Sequence, residues 1–244
     1  MATIRKARKM VTRGGRKSKA PRAGGDSRSR RLGQRTEAVR DLRRGRSYAA
    51  VRALVDALHD RHPEPRLAAA EALASRPLPL ARAALCEALL RDPEELVRVA
   101  AAESLGVCGT ECSLDALEWA MCKDVHVLVR SFASEAIAAI GGKRAKAAIL
   151  RSLDSEKDDR VRVSMHAALK ALGSKRELRP LGMLLDSPDY WARCASASAL
   201  TDLAEDEEKP TVVRLLQNRL AAETLRSVRS RLVKCLQDLG VSAK

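Results

Sequence analysis

The sequence predicts an all-α fold in which about six two-helix repeats stack side by side behind a basic leader segment. Three observations support this prediction. The 244-residue chain is 45% hydrophobic but only 2% aromatic, so its core must be built from Ala, Leu and Val, as in closely packed helices. An arginine recurs at nearly constant spacing along residues 47–244. Almost all of the surplus positive charge precedes that region.

The repeated arginine is the strongest pattern in the chain. It recurs at intervals of 32, 32, 32, 31 and 36 residues, at Arg66, Arg98, Arg130, Arg162, Arg193 and Arg229. In every copy a small residue stands six positions later and an aliphatic residue seven positions later, the latter being Leu73, Leu105, Ile137, Leu169, Leu200 and Leu236. These positions fall on one face of a helix with 3.6 residues per turn. Each arginine is therefore predicted to lie on an amphipathic second helix.

A first helix is predicted before each of these second helices. The stretch ahead of the second helix carries two apolar residues four positions apart, for example Leu85 and Leu89. Gly141, Gly173 and Gly240 stand eleven residues after their arginine, where a helix end favours a left-handed residue. Neither helix can bury its apolar face alone, so neighbouring repeats must stack. The predicted repeats span about 47–76, 77–109, 112–141, 143–173, 176–204 and 209–240.

Two of the repeats resemble a known family. The runs Asp92-Pro-Glu-Glu-Leu-Val-Arg98 and Asp124-Val-His-Val-Leu-Val-Arg130 resemble HEAT repeats, and more narrowly the short bacterial type shared with phycobilisome-lyase-like (PBS lyase) proteins. The resemblance covers about 47–244 and implies a right-handed, armadillo-like α-solenoid. Because these repeats serve many unrelated roles, it says little about function.

The resemblance also implies a role for the repeated arginine. In the family, an Asp and the Arg six residues later form a ladder between successive repeats. We therefore interpret the arginines as structural, setting the register of stacking through ion pairs with the preceding acids. The predicted ladder consists of Asp60, Arg66, Asp92, Arg98, Asp124, Arg130, Arg162, Arg193 and Arg229, with Glu156 and Ser187 at the acid position of the fourth and fifth repeats.

The net charge of +15 belongs to the leader segment. Residues 1–47 hold 17 Lys and Arg against three acids, whereas the remaining residues hold 29 basic and 28 acidic side chains. With few apolar residues to offset the entropy of ordering, residues 1–46 are predicted to form a disordered basic tail. Such charge density predicts salt-dependent binding to nucleic acid. The candidate residues are Arg5, Lys6, Arg8, Lys9, Arg16, Lys17, Lys19, Arg28, Arg30, Arg31, Arg43, Arg44 and Arg46.

The second helices also offer a candidate binding face. Positions +1, +5 and +8 after the repeated arginine line the concave surface in the family, and position +5 carries a glutamate in the first three repeats. One interpretation is a solvated polar face. The other is an acidic groove that takes a basic helix or peptide, or the chain's own tail. The candidate partner-binding residues are Glu71, Glu103, Glu135, Lys170, Trp191 and Lys234.

No catalytic, metal or cofactor site is predicted. Cys108, Cys112, Cys122 and His126 have the ligand types of a zinc site, but the predicted helix between the second and third of them separates these two by about 15 Å. No Ser or Cys has a His and a carboxylate at a nucleophile spacing, and no phosphate-binding loop occurs. With no apolar run long enough for a membrane span or a secretion signal, and six cysteines interpreted as reduced thiols, the expected location is cytoplasmic.

The resulting prediction is a non-enzymatic protein-interaction scaffold that binds a protein or peptide on its concave helix face. Two alternatives stay open. One is a nucleic-acid-associated protein anchored by the basic tail. The other is a HEAT-like subunit of the lyase or oxidoreductase type, which would carry a bound chromophore or metal. The identity of the partner and the oligomeric state do not follow from the sequence.

Overall fold

The computed structural model describes residues 27–43, 45 and 47–241, and these residues fold into helices. They form thirteen α-helices and one short 3₁₀ turn at Glu111–Ser113, with no β-strand among them, which confirms the all-α fold class. They fall into two compact bodies, one up to residue 172 and one from residue 173 onward. The helices are α1 Ser27–Leu42, α2 Tyr48–Ala57, α3 Pro63–Leu73, α4 Pro79–Arg91, α5 Glu95–Cys108, α6 Leu114–Lys123, α7 Val127–Ile140, α8 Gly142–Leu153, α9 Asp159–Ala171, α10 Leu178–Leu184, α11 Tyr190–Leu203, α12 Lys209–Ala222 and α13 Arg226–Asp238.

The N-terminal body consists of two layers of helices. The second helices α3, α5, α7 and α9 pack side by side, and the first helices α2, α4, α6 and α8 form the layer behind them. The aliphatic residue seven positions after each repeated arginine is fully buried between the layers, opposite an apolar residue of the first helix. These core residues are Leu73, Leu105, Ile137 and Leu169 on the second helices and Leu54, Leu85, Leu117 and Ile149 on the first helices.

Small residues allow the second helices to pack closely. A Cβ added at Gly106 of α5 would lie 3.2 Å from the Cα of Ala136 on α7 and 3.3 Å from its Cβ. The contact between α5 and α7 therefore depends on small side chains on both helices, with Gly106 at position +8 of one and Ala136 at position +6 of the other. Gly141, which ends α7, has a φ of +80°, the left-handed conformation expected of a glycine at a helix C-terminus.

Helix α1 is the main departure from the sequence prediction. Residues 27–42 were expected to belong to a disordered tail, but they form a helix that packs on α2 and α3. Thr36 and Val39 are buried on it, and Arg35 forms an ion pair with Asp60 at 3.3 Å. Helix α1 is therefore the second helix of a further repeat, and its polar outer face is typical of a terminal capping helix.

The C-terminal body repeats the same arrangement on a smaller scale. Helices α10 and α11 form one pair and α12 and α13 the next, with Leu181, Leu200, Leu216 and Leu232 buried among them. The first helices approach closely because Gly182 of α10 lies under Leu215 of α12. The N-terminus of α11 is capped by Asp189, whose carboxylate accepts from the backbone N–H groups of Trp191 and Ala192.

None of the described helices is both long enough and apolar enough to span a bilayer.

Candidate interaction surfaces

In four of the repeats, the repeated arginine binds an acid of the following repeat. The Nε and Nη2 atoms of Arg66 donate to the carboxylate of Asp92 at 2.7 and 2.9 Å, and Arg98 binds Asp124 in the same way at 2.7 and 3.0 Å. The acid of the arginine's own repeat contributes through its backbone instead, because Nη1 of Arg66 donates to the carbonyl oxygen of Asp60 at 3.0 Å. Each ion pair is therefore made with the following repeat, and not with the acid six residues earlier.

Two further arginines show the same geometry. Arg130 binds Glu156 at 2.8 and 3.2 Å, which accommodates the longer side chain of glutamate. In the C-terminal body, Arg193 donates from Nε to Glu223 at 2.8 Å and from Nη1 to the carbonyl oxygen of Ser187 at 2.8 Å. Arg162 donates to Asp159 on its own helix at 3.2 Å.

Each ladder acid also caps the turn in which it lies. The carboxylates of Asp92 and Asp124 accept from the backbone N–H groups two residues later, at 3.0 and 2.8 Å. Glu223 accepts from the N–H of Leu225 at 2.9 Å. One carboxylate thus fixes the start of its own second helix and receives the arginine of the preceding repeat, so the ladder sets both the turn and the stacking register.

Glu223 shows how strongly a ladder acid is neutralised. Burial by itself raises the pKa of this carboxyl group, but hydrogen bonds from Arg219, from the N–H of Leu225 and from Arg193 outweigh burial and lower the pKa to about 2. The side chain is almost fully enclosed, and Arg219 reaches it at 2.8 Å. Glu223 is therefore ionised at neutral pH and completely occupied by groups of its own chain.

A second acidic surface lies on the second helices of the N-terminal body. Glu71 of α3, Glu103 of α5 and Glu135 of α7 occupy equivalent positions on helices that pack side by side, and each is partly exposed. We call the surface formed by positions +1, +5 and +8 of these three helices the glutamate face. Small residues at position +8, Ala74, Gly106 and Ala138, flank the glutamates on it.

Glu135 lies in an environment opposite to that of Glu223. Burial and the charge of Glu103 raise the pKa of Glu135 to about 7, and a hydrogen bond from Ser164 only partly opposes them. No cation of the described residues is among the groups that shift this pKa. Glu135 therefore exchanges its proton near neutral pH, and a positive charge close to it would favour its ionised form.

The other candidate partner-binding residues lie in different surroundings. Lys170 on α9 is only 9% exposed, so it differs from the open surface position that the sequence suggested. In the C-terminal body, Lys234 on α13 is exposed and Trp191 in the first turn of α11 is 40% exposed. Trp191 stacks at a tilt on Tyr190, with 5.3 Å between ring centroids.

Most of the candidate nucleic-acid-binding residues lie outside the described part of the chain. Arg31 and Arg43 are exposed. Arg28 and Arg30 belong to α1, but their side chains are not described. Those outside the described residues are Arg5, Lys6, Arg8, Lys9, Arg16, Lys17, Lys19, Arg44 and Arg46.

Within the described part of the chain, the cysteines do not combine with other ligands into a metal centre. Among residues 27–43, 45 and 47–241, no group of three or more His, Cys, Asp or Glu side chains could hold a metal ion. Burial raises the pKa of the Cys86 and Cys108 thiols, which disfavours the reactive thiolate. Cys122 lies on the surface, where its sulfur is 2.9 Å from the hydroxyl of Ser152.

A family model for HEAT repeats matches residues 33–106 and 82–170, which together cover more than half of the chain. The chain belongs to the HEAT-repeat family. The match begins at residue 33, inside α1, which agrees with α1 being a repeat helix. The chain is also similar in structure to the complex of CpcE and CpcF of phycocyanin lyase from Nostoc sp. PCC7120, with 20% identity, a TM-score of 0.55, and coverage of 92% of this chain and 99% of that chain.

Two other solved structures are more distant. Human deoxyhypusine hydroxylase in complex with glycerol is 21% identical with a TM-score of 0.39, covering 84% of this chain and 79% of that one. An engineered protein is 20% identical with a TM-score of 0.40, covering 78% and 96%. No curated protein matches the chain. At these identities the similarity concerns the HEAT-repeat fold alone.

Proposed function

We propose that this HEAT-repeat protein is a non-enzymatic interaction scaffold whose glutamate face binds a basic helix or extended basic segment of a partner protein. The observation that carries the proposal is the raised pKa of Glu135 beside Glu103. The chain pairs its ladder acids with its own arginines. At Glu135, by contrast, burial and the like charge of Glu103 favour the protonated form of the carboxyl group. A lysine or arginine of a partner would relieve this repulsion.

The shape of the surface supports the same partner. The glutamates at position +5 follow one another on adjacent helices, spaced by the width of one helix, about 8–10 Å. Ala74 and Ala138 at position +8 are small and partly exposed. Leu96, which is 51% exposed at the start of α5, adds an apolar contact at the edge for the stem of a long basic side chain. A segment with basic side chains on one face and an apolar residue beside them fits this pattern.

The test uses a synthetic helical peptide with lysines on one face and leucines beside them, titrated into the full chain. Glu103→Lys should weaken binding by about tenfold, since it removes an attraction and adds a repulsion. The matched control is Glu87→Lys, an equally charge-reversing change at an exposed position on the first helix α4. If Glu103→Lys and Glu87→Lys bind the peptide as tightly as the unaltered chain, the proposal is wrong.

A pH series sharpens this test. Because the pKa of Glu135 is about 7, the face gains negative charge as the pH rises through neutrality, so affinity for the lysine peptide should increase from about pH 6 to about pH 8. Glu135→Gln should abolish the increase. An affinity that falls over the same range would contradict the assignment of the glutamate face.

Nucleic-acid association through the tail is a second candidate, favoured by the 17 basic residues among the first 47. It predicts binding to a single-stranded oligonucleotide that weakens steeply with salt. The informative deletion removes residues 1–26 only, because a deletion of 1–46 would also remove α1 and its contacts with α3. Unchanged oligonucleotide affinity after deletion of 1–26 would exclude this role for the tail.

A further inference from the structure

Arg229, the last ladder arginine among the described residues, has no acid bound at the edge where the other ladder arginines bind one. Arg229 of α13 is held like the other ladder arginines, since its Nη1 donates to the carbonyl oxygens of Glu223 at 2.8 Å and Leu220 at 2.7 Å. In Arg66, Arg98 and Arg193, the Nε and Nη2 atoms then bind a carboxylate of the next repeat. Among the described residues, no carboxylate occupies this position at Arg229, and its side chain is exposed.

The chain itself shows which chemical group fits this open position. The filled positions hold either an aspartate or a glutamate, each in the turn just before a helix. The carboxylates of Asp92 and Asp124 each accept hydrogen bonds from the Nε and Nη2 atoms of an arginine. Each also accepts from the backbone N–H two residues later in its own chain. The guanidinium geometry therefore selects a planar carboxylate presented at the start of a helix.

Exposed apolar side chains lie on the same edge of the C-terminal body. Trp191 and Tyr190 at the start of α11 are 40% and 43% exposed, and Leu225, just before α13, is 46% exposed. The two helix starts are joined directly, because Arg193 binds both the turn before α11 and Glu223 in the turn before α13. Arg229 binds the carbonyl oxygen of the same Glu223. The aromatic pair, Leu225 and Arg229 therefore lie in or just after the two turns that these hydrogen bonds join, and we call this set of residues the open ladder edge.

The surrounding charge is complementary to an acid. Arg226 is exposed in the first turn of α13, one turn before Arg229, and the carboxylate of Glu223 is occupied by Arg193 and Arg219. A carboxylate that binds here is therefore close to two exposed arginines, and the exposed side chains of Leu225 and Trp191 provide apolar surface. A base-stacking surface for nucleic acid would also use an aromatic residue and arginines, but it would not explain the specific fork geometry that four carboxylates of this chain already satisfy.

We propose that the open ladder edge docks a partner protein through a helix N-terminus that carries an Asp or Glu, with an apolar residue next to the acid. The partner's carboxylate binds Nε and Nη2 of Arg229, in the manner of the next ladder acid. Its apolar neighbour packs on Leu225 and Trp191. This surface lies in a different body from the glutamate face and takes a segment of opposite charge, so the two proposals stand independently.

The test uses the chain's own ladder sequence as the probe. A synthetic peptide of residues 90–107 contains Asp92 and the α5 segment, and its Asp92→Asn form is the matched control peptide. The full chain contains two tryptophans, so a Trp119→Phe background leaves Trp191 as the single fluorescent reporter of the edge. Binding of the peptide should shift the Trp191 emission and the Arg229 Nε–Hε resonance, whereas the Asn peptide should bind about tenfold more weakly.

Variants of the chain complete the test. Arg229→Gln and Arg229→Lys should both weaken the peptide by about tenfold, since lysine keeps the charge but lacks the fork; Arg214→Gln, at an exposed position on α12, should not. Thermal unfolding shows whether each variant stays folded, and Trp191→Ala provides a second test that leaves Arg229 intact. Equal affinity for the Asp and Asn peptides would overturn the proposal. So would tighter, Arg229-dependent binding of an oligonucleotide of about 20 nucleotides.

Discussion

Glu223 and Glu135 are the same residue type in two regions of one repeat architecture, and their environments drive their pKa values in opposite directions. Glu223 lies at the ladder, where two arginines and backbone N–H groups lower its pKa to about 2. Glu135 lies on the glutamate face, where burial and Glu103 raise its pKa to about 7. The difference separates an acid that the chain uses to hold itself together from an acid whose ionisation is opposed by its surroundings.

The largest expected effect follows from breaking the ladder. Glu223→Ala leaves Arg193 and Arg219 without their carboxylate in a buried position, so it should destabilise the protein by about 3–5 kcal/mol. The matched control is Asp186→Asn, which removes an exposed carboxylate from the same Arg219 and should cost less than about 1 kcal/mol. Urea denaturation measures both, and equal losses would contradict the structural role of Glu223.

The same acid gives a pH dependence with a defined sign. Because the folded-state pKa of Glu223 lies below the ordinary value of 4.5, its contribution to stability is fully present above that value. The contribution is lost as the pH falls toward 2. Urea titrations of the unaltered chain and of Glu223→Gln should therefore converge as the pH approaches about 2. Parallel curves at all pH values would mean that Glu223 is not held ionised by its arginines.

Removal of α1 should have the next largest effect. A chain lacking residues 1–46 loses the buried Thr36 and Val39 and the ion pair of Arg35 with Asp60, which we expect to cost about 2–3 kcal/mol. A chain lacking only residues 1–26 keeps α1 and should unfold like the full protein. Identical stability of the two truncated chains would show that α1 does not cap the repeats.

On the glutamate face, the pH dependence of stability should have the opposite sign to that at Glu223. A folded-state pKa of about 7 means that Glu135 destabilises the fold progressively as the pH rises above its ordinary value, 4.5. Glu135→Gln should therefore stabilise the protein by about 1–2 kcal/mol near pH 8 and by much less near pH 5. Thermal unfolding at the two pH values measures the difference, and destabilisation at the higher pH would show that the carboxylate has a neutralising partner.

The smallest effect is expected at an exposed ion pair of the first helices. Arg91 and Glu87 of α4 lie 3.9 Å apart on the surface, so Glu87→Gln should change the free energy of unfolding by less than about 0.5 kcal/mol. Together with Glu223→Ala, this variant compares the contribution of a surface ion pair to the free energy of unfolding with that of a ladder ion pair. A loss above 1 kcal/mol, measured by urea denaturation, would show that an exposed ion pair can stabilise the protein as much as a buried ladder pair.

The sequence predicted the six second helices because a single arginine register fixes both the apolar face and the ladder. It did not predict α1, although Arg35 stands 31 residues before Arg66 and Leu42 follows it by seven. The high charge of residues 1–47 outweighed this one copy of the pattern. A single helix packed on an existing repeat needs to bury only a few side chains, so the composition of the segment is a poor guide to its order.

The partners of the ladder arginines and the environment of the site residues could not be predicted from the sequence, for a different reason. Arg66, Arg98 and Arg130 each have an acid six residues before them and another acid 26 residues after them, and only the stacking of adjacent helices decides that the later one receives the guanidinium. The glutamate register was visible in the sequence, but the raised pKa of Glu135 depends on how deeply it is buried and on how close α5 brings Glu103 to it. Lys170 was interpreted as a surface residue because its register gave no sign of its burial.

The most direct test of the account is a carbon-13 NMR titration of the glutamate carboxyl groups in the full-length protein. Glu135 should titrate with a pKa of about 7 and Glu223 with a pKa of about 2. Addition of the lysine peptide should lower the pKa of Glu135 and leave that of Glu223 unchanged. Titration of both groups near the ordinary value of 4.5 would contradict the distinction between ladder acids and the glutamate face.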